Sequence, residues 1–289
     1  MVFPYQNCMQ TVEVPVRQSQ ESSAALTRND LLAVEEPLEI RLGFVRENKR
    51  THQSISITMR TPGNDFDLAA GFLFTEGIIT SADQIEAIEH CGKPAPGSQL
   101  RNTVRVDLKP EIAVDLKRLE RHFYTSSSCG VCGKTSIEAL QTISCPARSL
   151  DNLQVDAQMI HRLPELLHNA QSVFNQTGGL HAAALFDADG QLIVLREDVG
   201  RHNALDKLIG SRLMTRNIPL PQSLLLVSGR ASFELVQKSV VAGIPIMAAV
   251  GAPSSLAVRL AQEYEVTLLG FVRDGRFNVY SNERRIRFA

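Results

Sequence analysis

The segment Tyr124-Thr125-Ser126-Ser127-Ser128-Cys129-Gly130-Val131-Cys132-Gly133-Lys134 sets two cysteines three apart between glycines, behind three serines and ahead of a lysine. Such small, polar flanks describe an exposed loop. There, loop N–H groups, a helix start near Thr135 and the Lys134 ammonium would all favour a thiolate, the nucleophilic and metal-binding form of cysteine. Three chemistries compete for the pair. A structural zinc site wants four ligands, and only Cys145 and His122 lie near enough to add. A thioredoxin-like dithiol switch wants the pair at the end of a strand in a first βαβ unit, whereas this pair follows a polar stretch in mid-chain. Nucleophilic sulfur transfer needs one accessible thiolate to take a sulfur atom as persulfide, with the second thiol to assist or protect it. Two buried packing cysteines would fit poorly with glycines and serines on every side.

Four further constellations could bind rather than react. Thr177-Gly178-Gly179-Leu180-His181 is a Gly-Gly turn delivering His181 to the start of an apolar run, which alone signals little. From Arg196 to Lys207, ionisable side chains crowd around Gly200 between a strand pattern and a helix pattern. Solvated helix starts are often charged, but a strand-to-helix loop at a strand's carboxyl end is also where α/β sheets hold ligands. Val227-Ser228-Gly229-Arg230 repeats that placement with a flexible glycine and a guanidinium suited to phosphate. His181, Arg201, Ser228 and Arg230 are therefore the candidate pocket for a phosphorylated ligand. The fourth, Gly270 to Tyr280, reads as an ordinary hairpin whose turn holds Arg273 and Arg276.

The elements that must position these residues divide the chain in two. Residues 1–30 are polar, rich in Gln and Ser and without a sustained period, so an unordered arm is expected. Residues 31–145 form a small α+β domain ending in the Cys-x-x-Cys loop. Within it, Leu38 to Leu42 and Ile55 to Met59 alternate as a hairpin about a polar turn at 46–53, with a helix from Phe66 to Leu73 and a strand from Thr103 to Leu108. From 146 to 289 the grain changes. Ala182–Phe186, Leu192–Leu195, Leu224–Val227, Ile246–Val250 and Thr267–Phe271 are apolar runs, as for strands covered on both faces. Helical spacing at 155–169, 203–209, 232–242 and 254–263 completes an α/β domain, and Cys145 to Ser149 reads as the hinge. With 289 residues, 44% of them hydrophobic, a sizeable core is available. The 30 basic and 31 acidic residues nearly cancel, which gives no electrostatic reason to expect nucleic acid or an anionic membrane as partner. No apolar run reaches a spanning length, the N-terminus lacks a signal-peptide pattern, and five thinly spread cysteines do not make a disulfide framework. The expected setting is the cytoplasm.

These blocks together resemble the FdhD family, the formate dehydrogenase accessory sulfurtransferases. The resemblance rests on Phe74 to Ile79, Ser126 to Lys134, Thr177 to Ala183, Glu197 to Gly210, Ser228 to Lys238, Ala252 to Leu260 and Gly270 to Tyr280, in the family's order. It implies that sulfur is accepted from a cysteine desulfurase as a persulfide on Cys129, with Cys132 assisting. The sulfur would pass to a bound substrate, the molybdenum or tungsten bis-molybdopterin guanine dinucleotide cofactor, for a client formate dehydrogenase. It implies that Phe271, Val272, Arg273, Asp274, Gly275 and Arg276 bind that cofactor, that the protein is a homodimer, and that the second domain resembles the cytidine deaminase fold in three layers. Deaminases hold zinc with His-x-Glu and Pro-Cys-x-x-Cys. Here His181-Ala182-Ala183 lacks the glutamate and no cysteine follows Cys145, so the expectation is ligand binding without zinc. A non-catalytic chaperone that holds the cofactor and the apo-enzyme stays open as the alternative.

Overall fold

Strands begin earlier in the chain than composition suggests. The computed structural model describes residues 10–21, 23–94, 100–115 and 153–288. β1 (Thr11–Gln20) and β2 (Ser23–Ala33) form an antiparallel ribbon in which Val12 faces Leu32 and Val16 faces Arg28. The expected unordered arm is thus corrected from Thr11 onward. Valines at 12, 14 and 16 supply a period of two, which the surrounding Gln and Ser conceal in a composition average. The ribbon's base is tied down by the Val34 N–H donating to the Gln10 carbonyl at 2.8 Å and by the Gln10 amide donating to the Pro62 carbonyl at 3.1 Å.

The predicted hairpin is β3 (Glu36–Arg46) and β4 (Lys49–Arg60), closed by Glu47 and Asn48, both left-handed at φ 50° and 60°. That tight two-residue turn suits the strand twist, so the strands run further into the polar stretch than expected. The sheet continues with β5 (Ile85–His90) and β6 (Thr103–Leu108) in the order β4-β3-β6-β5. The β3–β6 pair is parallel and the outer pairs are antiparallel. Leu38, Ile40, Leu42, Ile55, Val104 and Val106 turn their fully buried side chains toward α1 (Asp65–Thr75), the expected helix.

The later residues form a six-stranded sheet. Into it run β8 (His181–Phe186), β9 (Leu192–Asp198), β10 (Leu224–Val227), β11 (Ile246–Ala249), β12 (Thr267–Arg273) and β13 (Arg276–Ser281), ordered β13-β12-β11-β10-β8-β9. β10, β11 and β12 are parallel, and β8, β9 and β13 pair antiparallel with their neighbours. One face packs on α2 (Ala157–Ala170) and the small pair β7 (Val155–Asp156) and β14 (Ile286–Arg287), with a one-turn α3 (Phe174–Thr177) following. The other face packs on α4 (Arg201–Met214), α5 (Phe233–Val241) and α6 (Ser255–Glu263), giving helix, sheet and helix layers. β9 departs from the expectation of strands covered on both faces. It is an edge strand, with Leu192 and Ile193 about two-fifths exposed.

The two halves share a core. α1 crosses α4 where Gly71 meets Gly210, so closely that a Cβ on Gly71 would lie 1.9 Å from the Asp206 carbonyl oxygen and one on Gly210 1.8 Å from that of Asp67. Only glycine permits that backbone contact. One apolar cluster then runs from Leu38, Ile40 and Leu73 through Leu205 and Leu208 to Leu225 and Val236. Cys129 and Cys132, the zinc supplements Cys145 and His122, the hinge at 145–149 and the 145/146 boundary lie outside the described residues.

Candidate functional site

Strand direction gathers the pocket residues. β8 and β13 begin at the end of the sheet where β9, β10, β11 and β12 finish, so the loops holding His181, Arg201, Ser228, Arg230 and Arg273 share one edge. This is the carboxyl end of the parallel strands, the position at which open α/β sheets bind ligands.

At its centre His181 pairs with Asp198 and faces Gly229, where an added Cβ would sit 3.5 Å from the imidazole Nδ1. Ser228 extends the pairing one step past β10. Its N–H donates to the Ala182 carbonyl at 3.0 Å, and its hydroxyl accepts the Ala182 N–H at 2.9 Å, which fixes the residue next to His181. The row continues sideways through backbone alone, Gly251 N–H to the Gly229 carbonyl at 3.0 Å and Phe271 N–H to the Gly251 carbonyl at 3.1 Å. A Cβ at Gly251 would press within 3.1 Å of the Arg230 backbone, so any larger residue there would push the two loops apart by a few tenths of an ångström.

The hairpin behaves unevenly. Phe271 adopts φ 54°, an uncommon conformation for an aromatic residue, at a register break between β12 and β13. The Arg273 guanidinium stands over its ring at 5.8 Å. Asp274 and Gly275 make the turn at φ 53° and 68°, and Arg273, Asp274, Gly275 and Arg276 are exposed. Val272, by contrast, points away and is fully buried in the core beneath α2. The structure thus brings His181, Arg201, Ser228, Arg230 and Phe271 to one rim and leaves the two hairpin arginines at its outer tip.

Charge at this rim is lopsided. α4 opens on Arg201 and His202, has no acidic residue in its first turn and no side-chain cap, against the usual preference for acids at a helix start. The Arg201 Nε is buried with no hydrogen-bond partner among the described residues. Burial, then the nearby Arg201 and His202, pull the His181 pKa below the usual histidine range despite Asp198, so its ring is neutral at pH 7. Glu234, at the start of α5, lies 3.8 Å from the His202 Nε2, which is 3.4 Å from the Ser232 hydroxyl. Burial pushes the Glu234 carboxyl up, but hydrogen bonds from His202, its own N–H and Ser232 prevail and hold it at about 2. His202, Ser232 and Glu234 fall within or beside the segments singled out in the sequence, but none is among the pocket residues expected from it. The signal available was the run of bases at a helix start.

Comparison with known proteins gives the arrangement its lineage. A model of the FdhD/NarQ family matches residues 33–287. A protein of Streptomyces avermitilis named sulfur carrier protein FdhD is 50% identical over 267 residues, covering 91% of each chain. One of the same name from Sulfurisphaera tokodaii is 42% identical over 278 residues, covering 96% of this chain and all of its own. The crystal structure of a chain described as a formate dehydrogenase accessory protein from Desulfotalea psychrophila superposes with a TM-score of 0.73 at 24% identity, covering 96% of this chain and all of that one. That likeness supports the mixed fold described above. By the extent of the family match and the identity of these relatives, the chain belongs to the FdhD/NarQ family.

Proposed function

We propose that this protein is a sulfur carrier in formate dehydrogenase maturation, acting as a sulfurtransferase through Cys129. The name of its relatives favours sulfur carriage, and the small, polar flanks of the Cys-x-x-Cys segment suit it. The Cys129 thiolate attacks the outer sulfur of a donor persulfide, as on a cysteine desulfurase. A new S–S bond forms on Cys129, the donor S–S bond breaks, and the donor leaves as its thiolate. Release needs two electrons, and the second cysteine supplies them. Cys132 attacks the inner sulfur of the persulfide, forming a Cys129–Cys132 disulfide and expelling hydrosulfide, and an external dithiol reductant restores the pair.

The acceptor in this reading is the bis-molybdopterin guanine dinucleotide cofactor, bound as substrate at the sheet's rim. The observation that carries it is the buried Arg201 Nε without an acceptor among the described residues, at a cationic helix start beside a neutral His181. A pyrophosphate supplies acceptor oxygens and charge of the right sign. The hairpin Phe271–Arg276 offers an aromatic ring and two exposed guanidinium groups beside it.

Intact mass after incubation with an active desulfurase and cysteine tests the sulfur step. A reducible gain of about 32 Da, one sulfur, that is lost in Cys129→Ala is expected for covalent carriage. No gain in the wild type would instead favour the chaperone that only holds the cofactor.

A further inference from the structure

The Asp198 carboxylate sits three residues before the first residue of α4, where its charge could cancel the attraction that Arg201 offers an anion. It is held out of that role. The side chain is fully buried and surrounded by four donors, Lys207 Nζ at 2.6 Å, the Gly200 N–H at 2.8 Å, and the Asn203 amide and Thr61 N–H at 3.2 Å each. Lys207, also fully buried, donates in addition to the Thr61 carbonyl at 2.7 Å. Asn203 reaches the Met59 carbonyl at 2.7 Å and accepts from the Thr58 hydroxyl at 3.2 Å, while the Thr61 hydroxyl accepts the Val199 N–H at 3.3 Å. The turn 198–200 is thus fastened to the end of β4, an element of the other half of the chain.

We infer that Asp198 and Lys207 are positioning residues of the anion site: together they fix the turn before α4 and neutralise its carboxylate, so that Arg201 meets phosphate with its charge uncancelled. The inference rests on the phosphate-binding reading above. An ion pair serving only stability would have no reason to reach a turn whose next residue, Arg201, keeps a buried Nε without a hydrogen-bond partner among the described residues. A second carboxylate at the helix start would repel the ligand, and an apolar residue would leave Gly200 and Thr61 N–H groups without an acceptor. The arrangement satisfies every one of these demands with two side chains and makes the rim a joint product of both halves.

The test separates phosphate recognition from general integrity by comparing GDP with guanosine as probes on the full chain. Losing one charge would orphan the other in the core, so the informative variant is the neutral pair Asp198→Asn with Lys207→Met. Calorimetry should find GDP binding weakened about tenfold or more while guanosine binding stays within about twofold, in protein that still unfolds cooperatively. Should the pair not fold, Asn203→Ala cuts the turn's ties to Asp198 and Met59 without orphaning a charge, and carries the same selective loss on a smaller scale. Equal weakening of both probes, or of neither, overturns the positioning role and leaves phosphate binding standing. If the wild type binds GDP no better than guanosine, the phosphate reading falls and takes this inference with it.

Discussion

Two lysines lie buried where the N-terminal sheet meets the α/β layers, and they point to opposite ends of that junction. Lys207 reaches the turn beneath the candidate site. Lys238 instead closes a knot between helices, with its Nζ 2.8 and 2.9 Å from the two Asp206 oxygens, 2.7 Å from the Thr75 hydroxyl and 3.5 Å from Glu76. Both aspartates belong to the segment leading into and along α4, so one helix carries a clamp on each side. No described loop of the site touches Lys238 in this knot. The comparison separates burial of charge that holds layers together from burial of charge that aims a turn.

Lys238→Met is the sharpest way to break the comparison. It strands the Asp206 carboxylate, already pushed above its usual range by burial, among apolar helices. The expected loss is about 3–5 kcal/mol in urea unfolding. The remaining folded protein should still prefer GDP to guanosine by the wild-type margin. A selective loss of GDP would show that both lysines serve the site, and the distinction would be void.

Gly210→Ala probes the junction between the two clamps. Its Cβ would collide with the Asp67 carbonyl, so α1 and α4 must part. Overpacking of this kind costs about 1–3 kcal/mol. The thermal midpoint should fall, and the GDP-to-guanosine ratio should change only slightly, because Asp198 anchors to β4 rather than to α1. A large change in the ratio would mean that the helix crossing itself sets the turn.

Much of this architecture was legible in advance because apolar runs fix strands whatever their partners. Ala182–Phe186 and Leu224–Val227 fall where their sequences place them, and glycine-bounded loops at strand ends pointed to His181, Ser228 and Arg230. What escaped depends on pairing. The Val12–Val16 alternation is short and set among polar residues, so only its partner β2 makes it a strand. β5 buries none of its six residues fully, leaving no apolar face to read. The Asp198 cage draws on Thr61, far away in sequence, and no local spacing reports such a contact. The Cys129–Cys132 pair is the reverse case, since it lies outside the described residues and its reading rests on residue types and spacing alone.

Glu234→Gln should give the smallest effect and the cleanest sign. With its carboxyl held at about 2 in the folded protein against an ordinary 4.5, Glu234 contributes stability that is fully present above about pH 4.5 and fades as pH falls toward 2. The glutamine variant lacks that contribution at every pH. Urea midpoints should therefore show wild type ahead at pH 7, with the gap closing on acidification through that window. Asp67, whose carboxyl burial pushes upward, acts in the opposite sense but equally in both proteins, so it cancels from the difference. A gap that stays constant from pH 7 to pH 3 would mean that the shape of Glu234, and not its charge, braces the start of α5. The rim's only strongly acid-shifted carboxylate among the described residues would then join Lys238 on the structural side of the comparison.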